Sequence, residues 1–239
     1  MGRAFEVRKK AREKTNASKT KIYSRYGKEL FIAAKAGIPD PEMNQGLKRM
    51  IERAKANQVP ADVIKRAIDK AKGGAEDSYS SVRYEGYGPG NCTLIVDCLT
   101  DNVNRTVSDV RNCFTKTKSK FGVSGSVSHL YDHIGILAFV YDNDEQILDT
   151  LIEHDVDVVD VEKEDETINV TVHPNDLYKA KTAIETIVPD VEFSALETTM
   201  VPHDTVKLAG EDEDLFNRFM TMIDELDDVQ NVYHNVDEE

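Results

Sequence analysis

Tryptophan is absent from the 239 residues, and cysteine is nearly so. The three cysteines are Cys92, Cys98 and Cys113, an odd number with no CxxC pair among them. That pattern argues against a disulfide framework and agrees with a reducing compartment, where free thiols serve as small buried apolar residues. No run of about eighteen apolar residues occurs, so no membrane span is expected. The start, MGRAFEVRKKAREK, lacks the apolar stretch of a secretory signal, and the chain reads as cytoplasmic. Glu6 stands where a myristoylation signal needs Ser or Thr.

Chemical motifs are missing as well. There is no GxSxG, HExxH or P-loop. His129 and His133 are four apart but fall in expected strand, where that spacing does not bring ligands together as it does on a helix. Asp142-Asn143-Asp144 begins like a calcium loop, yet Gln146 and Ile147 follow where further ligands and a glycine belong. No cofactor, metal or small-molecule substrate is expected, and the chain reads as a non-enzyme.

What is present is charge, unevenly placed. The formal net charge is −14, but residues 1–72 carry 19 Lys and Arg against 8 Asp and Glu, a net of +11. The rest of the chain is therefore −25. Such asymmetry suggests a polyanion partner for the basic end. The densest stretch holds Arg3, Arg8, Lys9, Lys10, Arg12, Lys14, Lys19, Lys21, Arg25 and Lys28 against Glu6 and Glu13. Cations there can neutralise phosphates and release counterions, with Phe5, Tyr23 and Tyr26 interleaved to stack on unpaired bases. The plainer reading is a solvated helix face with both tyrosines in a core. A second basic set follows at Lys48, Arg49, Arg53, Lys55, Lys65, Arg66, Lys70 and Lys72.

Hydrophobic spacing divides the chain. A helix capped by Ser18 carries Ile22, Tyr23, Tyr26, Leu30, Phe31 and Ala34, and Gly37 to Pro39 stops it. A second, starting at Asp40-Pro41, places Met43, Leu47, Met50, Ile51 and Ala54 on one face. A third follows Pro60 and ends at Gly73-Gly74. Beyond a linker at residues 75–81, strands over 82–87 and 92–99 flank the turn Gly88-Pro89-Gly90-Asn91. A helix over 103–116 and a strand over 126–133 come next. Residues 136–198 then run β-α-β-β-α-β, the ferredoxin-like order. Strand 201–208, helix 215–226 and strand 229–236 complete an interrupted α+β unit, because two incomplete domains would leave sheet edges unprotected.

The expected fold class is therefore α+β: a basic three-helix domain over 1–76, a discontinuous α+β domain over 79–134 plus 200–239, and a ferredoxin-like domain over 135–199 inserted in it. The stretch Tyr84-Glu85-Gly86-Tyr87-Gly88-Pro89-Gly90 leads into a strand, so it is no dinucleotide fingerprint. It reads as a hairpin, or as an exposed loop presenting Tyr84, Tyr87, Gly88, Pro89 and Gly90 to a partner.

Four segments, MGRAFEVRKK, YEGYGPG, NRTVSDVR and GSVSHLY, together resemble the YebC/PmpR family, which includes a mitochondrial translational activator of cytochrome oxidase. The resemblance spans essentially the whole chain. It departs at Gly2-Arg3-Ala4-Phe5, where many members read Gly-His-Ser-Lys-Trp, and at Asn91, where a further glycine is common. It implies three domains with the middle one discontinuous, and a cytoplasmic DNA-binding transcriptional regulator; other members act in translation on RNA or the ribosome. Three readings follow: duplex-DNA binding, RNA or ribosome binding, and a small-molecule sensor or enzyme on the ferredoxin-like domain, for which no polar cluster speaks.

Overall fold

Apolar residues three and four apart build the first layer of this molecule. The structure, a computed structural model, describes residues 19–73 and 78–237, with side chains from residue 21 onward. Helices α1 (Lys19–Lys35), α2 (Gln45–Ala56) and α3 (Ala61–Lys72) bury Leu30, Leu47, Ala54, Ile64 and Ile68 against one another. The start of α2 differs from the sequence expectation. Asn44, not Asp40, caps it: its side-chain oxygen accepts the Leu47 N–H at 3.0 Å. The Asn44 amide also donates to the Ala33 carbonyl at 2.8 Å, which ties the turn back to α1. One side chain thus satisfies an orphan helix donor and an orphan carbonyl. Met43, expected on the apolar face, precedes this cap and is 71% exposed.

Seven helices and two four-stranded antiparallel sheets make up the described residues, an α+β fold as expected. They form two compact units, one of residues 19–73, 78–128 and 206–237 and the other of residues 129–205.

In the first unit the bundle is joined by a sheet of order β3-β1-β2-β8. Its strands are β1 (Ser80–Tyr87), β2 (Thr93–Thr100), β3 (Lys120–Phe121) and β8 (Val229–His234). Helices α4 (Val103–Lys116) and α7 (Glu211–Asp224) pack Val110, Phe114, Phe216, Phe219 and Ile223 into its core. The Phe114 and Phe219 rings meet edge-on at 4.9 Å. The last strand returns to pair with β2, matching Leu94 with His234 and Val96 with Val232. Cys92, Cys98 and Cys113 are all free and buried in this core. Burial pushes the Cys92 and Cys98 thiols up to about 12, so they stay protonated and unreactive at neutral pH.

The second unit is β4 (Tyr131–Val140), α5 (Asp144–Glu153), β5 (Val158–Glu164), β6 (Thr167–Val172), α6 (Leu177–Ile187) and β7 (Phe193–Pro202). Its sheet order, β5-β6-β4-β7, is the ferredoxin-like arrangement. Leu137, Phe139, Ile168, Val170 and Val172 face Ile147, Leu151, Ala180 and Ile184 of the two helices. Two expected strand breaks do not occur. Residues 126–133 and 136–141 were expected as separate strands, but β4 runs through Gly135 and pairs with β7 from Tyr131–Pro202 to Phe139–Phe193. Gly135 serves close packing: a Cβ there would lie 3.1 Å from Val172. The strand expected over 201–208 shrinks likewise, since β7 continues to Pro202 and only Val206 makes a bridge, to Val236.

Candidate nucleic-acid interface

The basic residues of α1 do not all face solvent. Lys21 Nζ meets the Asp224 carboxylate at 2.7 Å and also donates to the Asp224 carbonyl. Arg25 donates to the Asn231 side chain at 2.9 Å. Lys28 Nζ lies 2.8 Å from Asp228 Oδ1 and donates to the Asp227 carbonyl at 2.9 Å. Three of the ten cations singled out in the sequence are thus engaged with the end of α7 and the start of β8. Arg3, Arg8, Lys9, Lys10, Arg12 and Lys14, and the side chain of Lys19, lie outside the described residues. Of the interleaved aromatics, Phe5 lies outside the described residues, Tyr26 is buried and Tyr23 packs against the bundle core. Both tyrosines therefore serve the helix core and not base stacking.

Asp228 is the centre of this contact, and it is 8% exposed. Its Oδ2 lies 2.7 Å from Arg105, 2.8 Å from the Thr106 hydroxyl and 3.0 Å from the Thr100 hydroxyl. Burial pushes its carboxyl up, but hydrogen bonds from Arg105, Lys28 and Thr106 outweigh this and hold it well below the usual carboxylate range. Asp228 ends the acidic run Asp224–Asp228, a pattern that suits a solvated surface, yet it is a buried hub. Nothing linear signals this, because Lys28 and Asp228 are 200 positions apart. An open polar cleft of about 400 Å³ lies beside the hub, lined in part by Tyr79, Asp109, Glu225 and Asp227. Its two cations, Lys28 and Arg105, already serve Asp228, so its remaining charge does not suit a phosphate.

The outer faces of α2 and α3 are different. Residues 45–72 carry eight Lys and Arg against three Asp and Glu. Lys48 and Lys55 are exposed on α2, seven apart, and Lys65 and Lys72 repeat that spacing on α3. The apolar stripe of each helix turns inward, which leaves these side chains in water. Among the described residues none of the four has an ion-pair or hydrogen-bond partner. Arg66 is exposed too but is paired with Asp62 at 2.6 Å.

The glycine-rich stretch is architectural. Tyr84, Gly88 and Pro89 are buried, Tyr87 is half-buried with its hydroxyl donating to the Ser126 carbonyl, and only Gly90 is exposed. Gly90 takes φ 62°, and a Cβ there would sit 2.5 Å from Leu208. The loop therefore holds its tyrosines within the fold and does not offer them to a partner as expected. Glu85, which the sequence reading did not single out, is 3% exposed and accepts N–H bonds from Gly125, Val127 and Ser128 at 2.8–2.9 Å. Burial raises its carboxyl pKa, and these three bonds more than reverse that. It fixes the loop that follows β3.

Among the described residues no group of three or more His, Cys, Asp or Glu side chains is placed to hold a metal ion. No described helix is long and apolar enough to cross a membrane.

An α+β chain of two antiparallel sheets with a basic helical bundle at its start defines a class of protein, and comparisons give the class a family. The family model described as TACO1/YebC protein N-terminal domain matches residues 3–74, and that described as TACO1/YebC second and third domain matches residues 79–236. The chain belongs to the TACO1/YebC family. It is 53% identical over 236 residues to a "Probable transcriptional regulatory protein" of Pseudoalteromonas translucida, covering 98% of each chain. A protein of the same name from Alteromonas mediterranea is 51% identical over 235 residues, again with 98% of each chain covered. The crystal structure of a conserved hypothetical protein from Aquifex aeolicus matches with a TM-score of 0.73 at 34% identity, over 93% of this chain and 91% of that one.

Proposed function

We propose that this protein is a nucleic-acid-binding regulator of gene expression whose bundle grips phosphates through the outer faces of α2 and α3. The observation that supports this is the contrast within the bundle. The α1 cations Lys21, Arg25 and Lys28 are held by the chain's own groups, while Lys48, Lys55, Lys65 and Lys72 stand in water. Unpaired exposed cations on neighbouring helices favour a polyanion by counterion release. Arg3, Arg8, Lys9, Lys10, Arg12 and Lys14 add to the reading by charge alone.

Duplex DNA is the proposed target and transcription the proposed process. The names of the relatives favour this. The role is binding, not catalysis, and its place is the cytoplasm. Phosphate contacts position a protein without reading sequence, so the target class needs its own test. Crosslinking in cells, followed by sequencing of bound DNA and bound RNA, separates the two. Enrichment of DNA supports the proposal. Enrichment of RNA or ribosomal RNA moves the role to translation, and recovery of neither overturns nucleic-acid binding.

A further inference from the structure

The acidic remainder of the chain contains one basic island. After residue 72 the chain holds 11 Lys and Arg and 36 Asp and Glu. Residues 102–131 hold five of those cations, Arg105, Arg111, Lys116, Lys118 and Lys120, and a single acid, Asp109. In the fold this segment is α4, β3 and the loop after them. The island includes NRTVSDVR, a stretch the bundle reading leaves unused.

Helical geometry sorts the segment. Thr106, Val110, Cys113 and Phe114 are buried. Asn104, Ser108, Arg111, Asn112 and Thr115 fall on the opposite side and are exposed, and the exposed Asp109 lies on the flank that also carries Lys116. That face is a row of amides and hydroxyls with an arginine at its centre. Two of the five cations are committed: Arg105 to Asp228 and Asp101, and Lys118 to Glu211 at 2.5 Å. Lys116 and Lys120 are exposed, with no partner among the described residues. Arg111 is exposed and lies 5.0 Å from the centre of the Phe121 ring. Phe121 is itself packed on Phe114 at 5.4 Å, so the guanidinium rests on a fixed platform.

The support beneath the face is built in. Asn102 caps α4, its side chain accepting the Arg105 N–H at 3.1 Å. Glu85 clamps the backbone of Gly125, Val127 and Ser128. A fixed surface holding unpaired cations between neutral hydrogen-bonding groups, in a region otherwise rich in carboxylates, is complementary to a phosphate backbone.

We propose that the outer face of α4, together with β3, is a second nucleic-acid contact, in which Arg111, Lys116 and Lys120 take phosphates. It is separate from the bundle surface and stands on its own observation. A chain with two such contacts grips one nucleic acid from two folded elements, and each contact adds to the salt dependence.

The test uses the full chain and a fluorescent DNA duplex, with single-stranded RNA of equal length alongside, over a salt series. The variant carries Arg111→Gln, Lys116→Gln and Lys120→Gln. The expected result is a slope of log affinity against log salt that is shallower by about three on at least one of the two probes, with an unchanged melting temperature. If Arg111→Gln disturbs Phe121 and lowers the melt, the Lys116→Gln, Lys120→Gln pair replaces it, with a slope change of about two. An unchanged slope and affinity on both probes, while neutralising Lys48, Lys55, Lys65 and Lys72 weakens binding, overturns this proposal and leaves the bundle reading intact. The reverse pattern keeps this contact and overturns the bundle one. No change from either set overturns both.

Discussion

Replacing Lys48, Lys55, Lys65 and Lys72 together by alanine is expected to lower affinity for nucleic acid by about two orders of magnitude at moderate salt. Each lysine that neutralises a phosphate contributes about 0.9 to the salt slope on duplex DNA, so four contacts are a large share of a typical interface. Fluorescence anisotropy with a labelled duplex measures the loss. The fold should not change. All four side chains are exposed and unpartnered among the described residues, and substitutions of that kind stay within about 0.5 kcal/mol. An unaltered affinity in a variant that melts like the parent means that these lysines are ordinary solvated surface.

Removing Asp228 by alanine is expected to have the opposite profile, a large loss of stability. The change leaves Lys28 with backbone carbonyls alone as acceptors and Arg105 with Asp101 as its remaining ion-pair partner, and it takes the carboxylate acceptor from the Thr100 and Thr106 hydroxyls. Removing one partner of a buried ion pair costs about 3–5 kcal/mol. Arg105 is half exposed, so the low end, about 3 kcal/mol, is the better expectation. For a chain of this size that lowers the melting temperature by roughly 6–12 °C. An unchanged melt means that water replaces the carboxylate without cost.

The pH dependence follows from the direction of the shift. Asp228 and Glu85 both hold their carboxyls below the ordinary range in the folded protein. Their contribution is complete above the unfolded values, about 4, and disappears as pH falls through the lower folded values. That contribution is therefore flat through neutral pH and is lost in acid. The Asp228→Ala curve lies below the parent at neutral pH and converges with it at low pH.

Much of the fold was legible because local periodicity and layer order agree. Residues 167–172 alternate as a strand and form one, and Val103–Lys116 is the helix its spacing describes. The ferredoxin-like order of the second unit followed from counting elements. The errors came where one residue has two uses. Asp40-Pro41 resembles a helix start, but Asn44 offers both a cap and a tie to Ala33. Gly135 resembles a break, but it makes room for Val172. Charge was legible as an excess and illegible as a surface. Lys21, Arg25 and Lys28 looked solvent-facing because their partners, Asp224, Asn231 and Asp228, lie some two hundred residues away. Only the fold separates cations that hold the protein together from those left for a partner.

The most direct test of that separation is the affinity of the intact protein for duplex DNA and RNA as salt is raised from about 50 to about 200 mM. With some 6–10 phosphates contacted, affinity falls about 10³–10⁵-fold over that range on at least one of the two. A curve that stays flat on both, or no retention of either nucleic acid in dilute buffer, contradicts the account.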